Sequence, residues 1–376
     1  MKRRQFALAA LAGAATPWVG PAHAAAGSRV LRFGQSASLS GGQAGYGKDV
    51  RDGIAAAFAA ANKAAASTGL QFELTTLDDG GVRSRCLQNA LSLVDAGAVA
   101  LIGLTSGAGA EACMSAVEAA QIPLIGTASG NMGIRAANVS SAFHVRAGYD
   151  LEYRRMTSYI KDFGMRRVGV VTLEDVSKAN LEAMNAALGD MSISPKIALT
   201  LDRNTTTFDG VAAQLMESRL DCVLFTTNAA PIAAVIDRMT AAKYPGLFYA
   251  SSFAGQDLVD TLVKRKQSCV MSAVVPRPNQ MGVNVVARCQ QDLAAHVPGA
   301  KMGMTTLEGY IAGRTAVDAT RAALRVGSLS RARLRESFAS LRSDLGGYKV
   351  DFSTGSVQGS HYVDLIVIDR YGRLVG

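Results

Sequence analysis

Short apolar runs alternate with stretches of helical periodicity from Val30 onward, and the alternation breaks off and restarts once, near residue 148. Strands separated in sequence by helices return in parallel and carry those helices on both faces, so the pattern argues for doubly wound parallel sheets. The first series has strands at Val30 to Phe33, Phe72 to Leu77, Val99 to Ile102, Pro123 to Ile125 and Ala142 to Val145, with helices near 48–66, 83–96 and 109–120. The second opens on a helix with Tyr149, Tyr153, Met156, Tyr159, Ile160 and Phe163 on one face. Its strands are Val168 to Thr172, Ile197 to Leu201, Cys222 to Thr226, Leu247 to Ala250 and Val270 to Val275, and Pro231 begins one of its helices. Pro276-Arg277-Pro278 interrupts the series; helices near 279–295, 305–325 and 330–341 follow, then strands near Tyr348 to Phe352 and Tyr362 to Ile368. The expected fold is α/β, with two lobes and several crossovers between them: residues 28–147 with 279–347, and residues 148–278 with 348–376.

With 376 residues, 49% of them hydrophobic and 18% charged, the chain can bury a large core and fill two domains. Its first residues stand apart. Lys2, Arg3 and Arg4 precede an apolar run from Phe6 to Ala15, and Ala22-His23-Ala24 places small residues where a signal peptidase reads, so residues 1–24 are expected to be a signal peptide cleaved after Ala24. Arg3-Arg4-Gln5-Phe6 fits a twin-arginine signal and a general secretory one alike. Either route leads to the periplasm. The formal charge of +9 loses Lys2, Arg3 and Arg4 with the signal, leaving +6 spread along the chain without a basic block. No nucleic-acid partner is expected.

Five cysteines in an oxidising compartment invite pairing. Cys86 begins one expected helix and Cys113 lies in the next; these helices follow successive strands of one sheet and should lie side by side, which makes them a candidate disulfide. Cys269 with Cys289 is a weaker second pair. Cys222, within an apolar run, reads as a buried thiol. No CxxC or Cys/His cluster suggests a metal, and no cofactor is expected.

The loop after the first strand, Ser38 to Asp49, contains four glycines but not in GxGxxG order, and it is too long for a tight pyrophosphate turn. It reads as a flexible loop or as a ligand-contacting loop that presents Tyr46. LSGGQAGYGKDVRDGIAAAF, TLDDGG, ALIGLTSGAGAEA, IPLIGTASGN, FHVRAGYDLEYRRM, VGVVTLEDVSKANLEAM, TLEGYIAGR and GSHYVDLIVID, in this order and spacing, resemble the branched-chain amino-acid binding-protein family. These are type I periplasmic solute-binding proteins of ABC transporters.

The resemblance implies an open cleft, a ligand held on the first lobe, and closure of the second over it. It implies contacts from Thr105, Ser106 and Gly107 to a ligand carboxylate, at a loop opening a helix whose free N–H groups favour an anion; Ser106 could instead simply cap that helix. It implies backbone contacts from Thr127, Ala128, Ser129 and Gly130, which could equally form a plain polar turn. Tyr46 matches an aromatic position, and Tyr149 sits at the lobe crossover or in the core. On the second lobe Ser177 stands where the family has a closing aromatic, a later aromatic falls near Ala229 beside Asn228, and Ser252 stands where an acid holds the α-ammonium of an amino acid. The lost acid points to a small carboxylate rather than leucine, isoleucine or valine, although Asp150, Glu174 or Asp175 could meet an ammonium from another side.

Rival functions are thinly supplied. Among the four histidines, His23 leaves with the signal, and His144, His296 and His361 have no neighbouring nucleophile pattern; no GxSxG or HExxH is present, so an enzyme is not expected. Asp78 and Asp79, adjacent on a strand, point to opposite faces and cannot share acid–base work. A periplasmic sensor that presents its ligand state to a separate membrane receptor is the alternative to a monomeric protein that delivers a small molecule to an ABC transporter permease.

Overall fold

The computed structural model describes residues 29–371 and 373–375, apart from 137–138 and 203–204. The expected signal segment and its cleavage site lie outside the described residues. One lobe comprises β1 (Arg29–Ala37), α1 (Ala44–Ala64), β2 (Leu70–Asp78), α2 (Arg83–Asp95), β3 (Ala100–Ile102), α3 (Gly107–Ala119), β4 (Leu124–Ile125) and β5 (Ala142–Phe143). Its sheet is parallel throughout, in the order β2-β1-β3-β4-β5. The other comprises α4 (Tyr149–Asp162), β6 (Val168–Leu173), α5 (Lys178–Asp190), β7 (Ile197–Leu201), α6 (Asp209–Glu217), β8 (Cys222–Phe225), α7 (Ala229–Ala241), β9 (Leu247–Ala250), α8 (Gly255–Arg265) and β10 (Cys269–Ala273). Then come α9 (Asn284–His296), α10 (Met304–Val326), α11 (Arg331–Ala339), β11 (Arg342–Asp344), β12 (Lys349–Asp351), β13 (Asp364–Ile368) and β14 (Leu374–Val375).

The second sheet has the order β14-β13-β10-β9-β8-β6-β7, parallel from β10 to β7. β13 joins β10 antiparallel, because it enters from the other lobe and needs no helical return. β6, β8 and β10 are buried along their whole length, as central strands covered on both faces must be.

β1 runs further than its apolar stretch, since Gln35 finds partners inside the sheet: its Nε2 donates to Gly103 O at 2.9 Å and its Oε1 accepts from Thr76 at 2.9 Å. α1 and α10 meet backbone to backbone. A Cβ on Gly53 would stand 2.0 Å from Thr306 O, and one on Gly309 would stand 2.2 Å from Val50 O, so both helices need glycine at the crossing. This contact returns α9 and α10 to the first lobe.

One expected boundary is corrected. Residues 348–352, expected in the second lobe, lie on the first: β12 forms a hairpin with β11, and Phe352 packs 5.4 Å from Phe143. Gly359 N–H then donates to His144 O, and the chain joins the second sheet only with β13 and β14. Three crossovers therefore run side by side. Tyr348 OH lies 2.8 Å from Val145 O and 3.0 Å from Val274 O, a shared donor that ties the first two, while Gln358 Nε2 donates to Arg146 O at 2.6 Å from the third.

Cys86 and Cys113 face each other across α2 and α3 as thiols, with Sγ atoms 3.9 Å apart. A Cβ on Gly109 would meet Cys86 Sγ at 2.8 Å, so that glycine permits the approach. The second expected pairing is overturned: Cys269 lies on β10 of the second sheet, whereas Cys289 lies on α9 against α1 of the first lobe, both as buried thiols.

Candidate functional site

The C-terminal ends of the strands in both lobes face each other, and the lobes are closed. Met132 N–H donates to Asn180 Oδ1 at 2.7 Å across one side of the cleft. On the other side Gln256 N–H donates to Thr305 Oγ1, and Met304 N–H donates to Gln256 Oε1, both at 3.2 Å. Between them lies a narrow cavity of about 60 Å³, walled by Ala108, Ser129 and Asn131 of the first lobe, by Tyr149 and Tyr153 of α4, and by Leu173, Asp175, Val176, Ser177, Asn180, Thr226 and Phe253 of the second.

Of the expected site residues, the cavity wall brings together Ser129, Tyr149 and Ser177. Tyr149 stacks on Tyr153 with centroids 5.6 Å apart, and its hydroxyl lies 3.3 Å from Ser129 Oγ. Burial raises the Tyr149 phenol to about 12, so it is a neutral hydroxyl throughout the physiological range. Ser177 stands at the N-terminus of α5 without capping it through its side chain. Gly130 packs behind: a Cβ there would fall 2.5 Å from Tyr149 Cδ1, and its carbonyl accepts from Tyr149 N–H.

The remaining expected residues act as supports. Tyr46 donates its hydroxyl to Ala128 O at 2.8 Å, which fixes the wall from behind. Thr105 Oγ1 accepts from Ser38 N–H, and Ser106 caps α3 by accepting from Gly109 N–H at 3.0 Å, the simple capping role. Gly107 is needed because a Cβ would stand 2.6 Å from Ser129 Oγ. Thr127 is buried with Oγ1 unpartnered among the described residues. Asn228 occupies the N-cap position of α7 without a side-chain capping bond and lies outside the wall, where Thr226 stands instead. Asp78 and Asp79 shape the first loop: Asp79 accepts from Ser36 and Ser38 hydroxyls, and Asp78 from Leu39 N–H.

Ser252 is the largest departure. It is bound into a buried charge network instead of facing the cavity: Arg146 donates to Glu152 Oε1 at 2.5 Å, to Glu308 Oε1 at 3.1 Å and to Ser252 Oγ at 2.6 Å. Glu152 Oε2 also accepts from Ser252 N–H at 2.9 Å and from the Ser272 hydroxyl at 2.5 Å. Burial lowers the Arg146 guanidinium, but Glu308 and Glu152 more than offset it and hold it above its ordinary value. Burial raises Glu308, which Arg146 opposes. Sequence reasoning missed this network. Its members are scattered from residue 146 to residue 308, and no local spacing links them.

A second set of carboxyls lies where α1 meets α8 across the lobes. A Cβ on Gly45 would stand 2.5 Å from Asp257 Oδ1, so the two helices touch here. Half-buried Asp49 is raised to about 7, first by burial, then by Asp257, Asp52 and Asp260, with Lys301 opposing. The folded value lies above the unfolded one, so the folded state holds the extra proton. Its stabilisation is complete below about pH 4 and is lost as pH rises through about 7. Asp49→Asn should therefore match the wild type in urea unfolding at pH 4 and exceed it by about 2 kcal/mol at pH 8, the full linkage being roughly halved for partial exposure. Equal stabilities at pH 8 would refute the assignment.

Residues 30–372 match the family model described as periplasmic binding protein. The chain belongs to that family. Its members are binding proteins and not enzymes, in keeping with the absence of a nucleophile pattern in the sequence. Among solved structures, the binding protein is similar to a possible leucine/isoleucine/valine-binding protein from Rhodopirellula baltica SH 1, with 24% identity, 93% of this chain and 97% of that one covered, and a TM-score of 0.85. A substrate-binding periplasmic protein from Ralstonia solanacearum follows at 23% identity, 92% and 99% coverage, and a TM-score of 0.83. A fatty acid ABC transporter substrate-binding protein from Thermomonospora curvata shares 14% identity over 92% and 91%, with a TM-score of 0.82. No match was found among curated proteins. At these identities the likeness is one of fold.

Proposed function

We propose that this binding protein is a periplasmic monomer that captures a small carboxylate between its lobes and delivers it to the permease of an ABC importer. The observation that carries the ligand class is the engagement of Ser252, the residue at the position expected to hold an ammonium group, by Arg146 and Glu152 away from the cavity. Asp175, the carboxyl in the cavity wall, already interacts with another group of the chain. A buried ammonium without a carboxylate partner would cost several kcal/mol, whereas the N-terminal ends of α3 and α5, represented in the wall by Ala108 and Ser177, favour a negative group. Delivery to an importer is supported by the family and by relatives of the same fold that serve ABC transporters.

Mass spectrometry of small molecules released by denaturing freshly purified protein identifies the cargo directly. A calorimetric panel of amino acids, amides, aliphatic acids and aromatic acids tests the class. An acid at 100 times its dissociation constant should add about 2.7 kcal/mol of apparent stability. Sub-micromolar binding of leucine, isoleucine or valine with no response to any acid lacking an α-amine would overturn the reading. Cell fractionation should find the protein in the periplasm with residues 1–24 removed.

A further inference from the structure

Asn180 lies in the first turn of α5, is 5% exposed and forms part of the cavity wall. Its Oδ1 accepts from Met132 N–H of the opposite lobe at 2.7 Å. A backbone N–H can only donate, so this contact pins the oxygen end of the amide to the first lobe and prevents the group from turning over while the lobes are closed. The Nδ2 end has no partner among the described residues, which leaves its two N–H donors as the part of the side chain available to the cavity. The neighbouring amide is different: Asn131 Oδ1 accepts from Gly133 N–H, and its Nδ2 donates to Glu111 at 3.2 Å. Ser129 Oγ is likewise occupied, by Asn131 N–H and the Tyr149 hydroxyl, both at 3.3 Å.

We propose that Asn180 is a specificity-determining residue, which donates from Nδ2 to a carboxylate oxygen of the ligand and is oriented to do so only when the lobes close onto Met132. The proposal deepens the carboxylate reading of the same cavity and rests on it. Closure and ligand reading are then joined in one side chain, since the contact that latches the lobes is also the one that turns the donors toward the ligand. A charged acceptor at this position would weaken the binding of an acid, because two oxygens without a proton between them repel.

Asn180→Asp and Asn180→Ala separate the two halves of this role. Aspartate keeps an oxygen for Met132 N–H but replaces the donors with a negative acceptor; alanine removes both. Binding of benzoate, isovalerate, leucine and benzylamine is measured by calorimetry on the wild type and on both variants, each checked for an unchanged melting profile. The expected result is that the variants lose benzoate and isovalerate affinity roughly tenfold for alanine and roughly 100-fold for aspartate. Aspartate binding within twofold of the wild type would reduce Asn180 to a latch and overturn the proposal, and so would equal losses in the two variants. A wild type that takes leucine or benzylamine but neither acid overturns the underlying reading of the site, and that is seen before any variant is made.

Discussion

Arg146→Ala will lower unfolding stability by about 3–5 kcal/mol, because it strands Glu152 and Glu308 in the interior with no cation between them. The guanidinium and the Glu152 side chain are fully buried and Glu308 nearly so, so water cannot replace the lost partner. Arg146→Lys should recover only part of the loss. A single ammonium cannot donate from three separate nitrogens to Glu308, Glu152 and Ala147 O, as the guanidinium does here. The decisive control neutralises the stranded charge: Arg146→Met with Glu152→Gln and Glu308→Gln should be markedly more stable than Arg146→Ala. Equal urea midpoints for the triple and single variants would show that the loss comes from packing and not from the uncompensated carboxyls.

Protein recovered from the periplasm should carry a Cys86–Cys113 disulfide, the pairing expected from the adjacent helices. The two thiols already face each other in the core of the first lobe, and the loop they would close joins residues 27 apart in sequence. Closing a loop of that length stabilises by about 3.5 kcal/mol through the entropy of the unfolded chain. Thiol titration of the unfolded, unreduced protein should find three of the five cysteines reactive, and reductant should lower the unfolding midpoint. The Cys86→Ala, Cys113→Ala double variant should be indifferent to reductant. Five reactive thiols in periplasmic material would refute the pairing.

Both predictions concern groups that differ sharply in how far they could be read from the sequence. Cys86 and Cys113 lie on successive helices of one sheet, so their adjacency follows from the order of the elements. The Arg146 network has no such short path: its five members come from two lobes and are spread from residue 146 to residue 308, so only the tertiary fold brings them together. The same holds for Asn180, whose partner Met132 belongs to the other lobe. Tyr153 was visible as one member of an apolar helical face, yet nothing in its spacing told the core from the cavity wall.

What the sequence by itself determined was the alternation of strands and helices, the restart near residue 148, and thereby two sheets with their loops gathered at the C-terminal strand ends. Those are consequences of periodicity and of parallel connection, which are local. Tertiary structure alone decided which loop residues face the cavity and which support it. Thr105 and Ser106 turned to backbone N–H groups, Ser252 to a buried ion pair, and the late segment near Phe352 to the first lobe. A polar side chain takes whichever partner the closed lobes leave within reach, and that competition is settled by distance in space, which the order of residues does not encode.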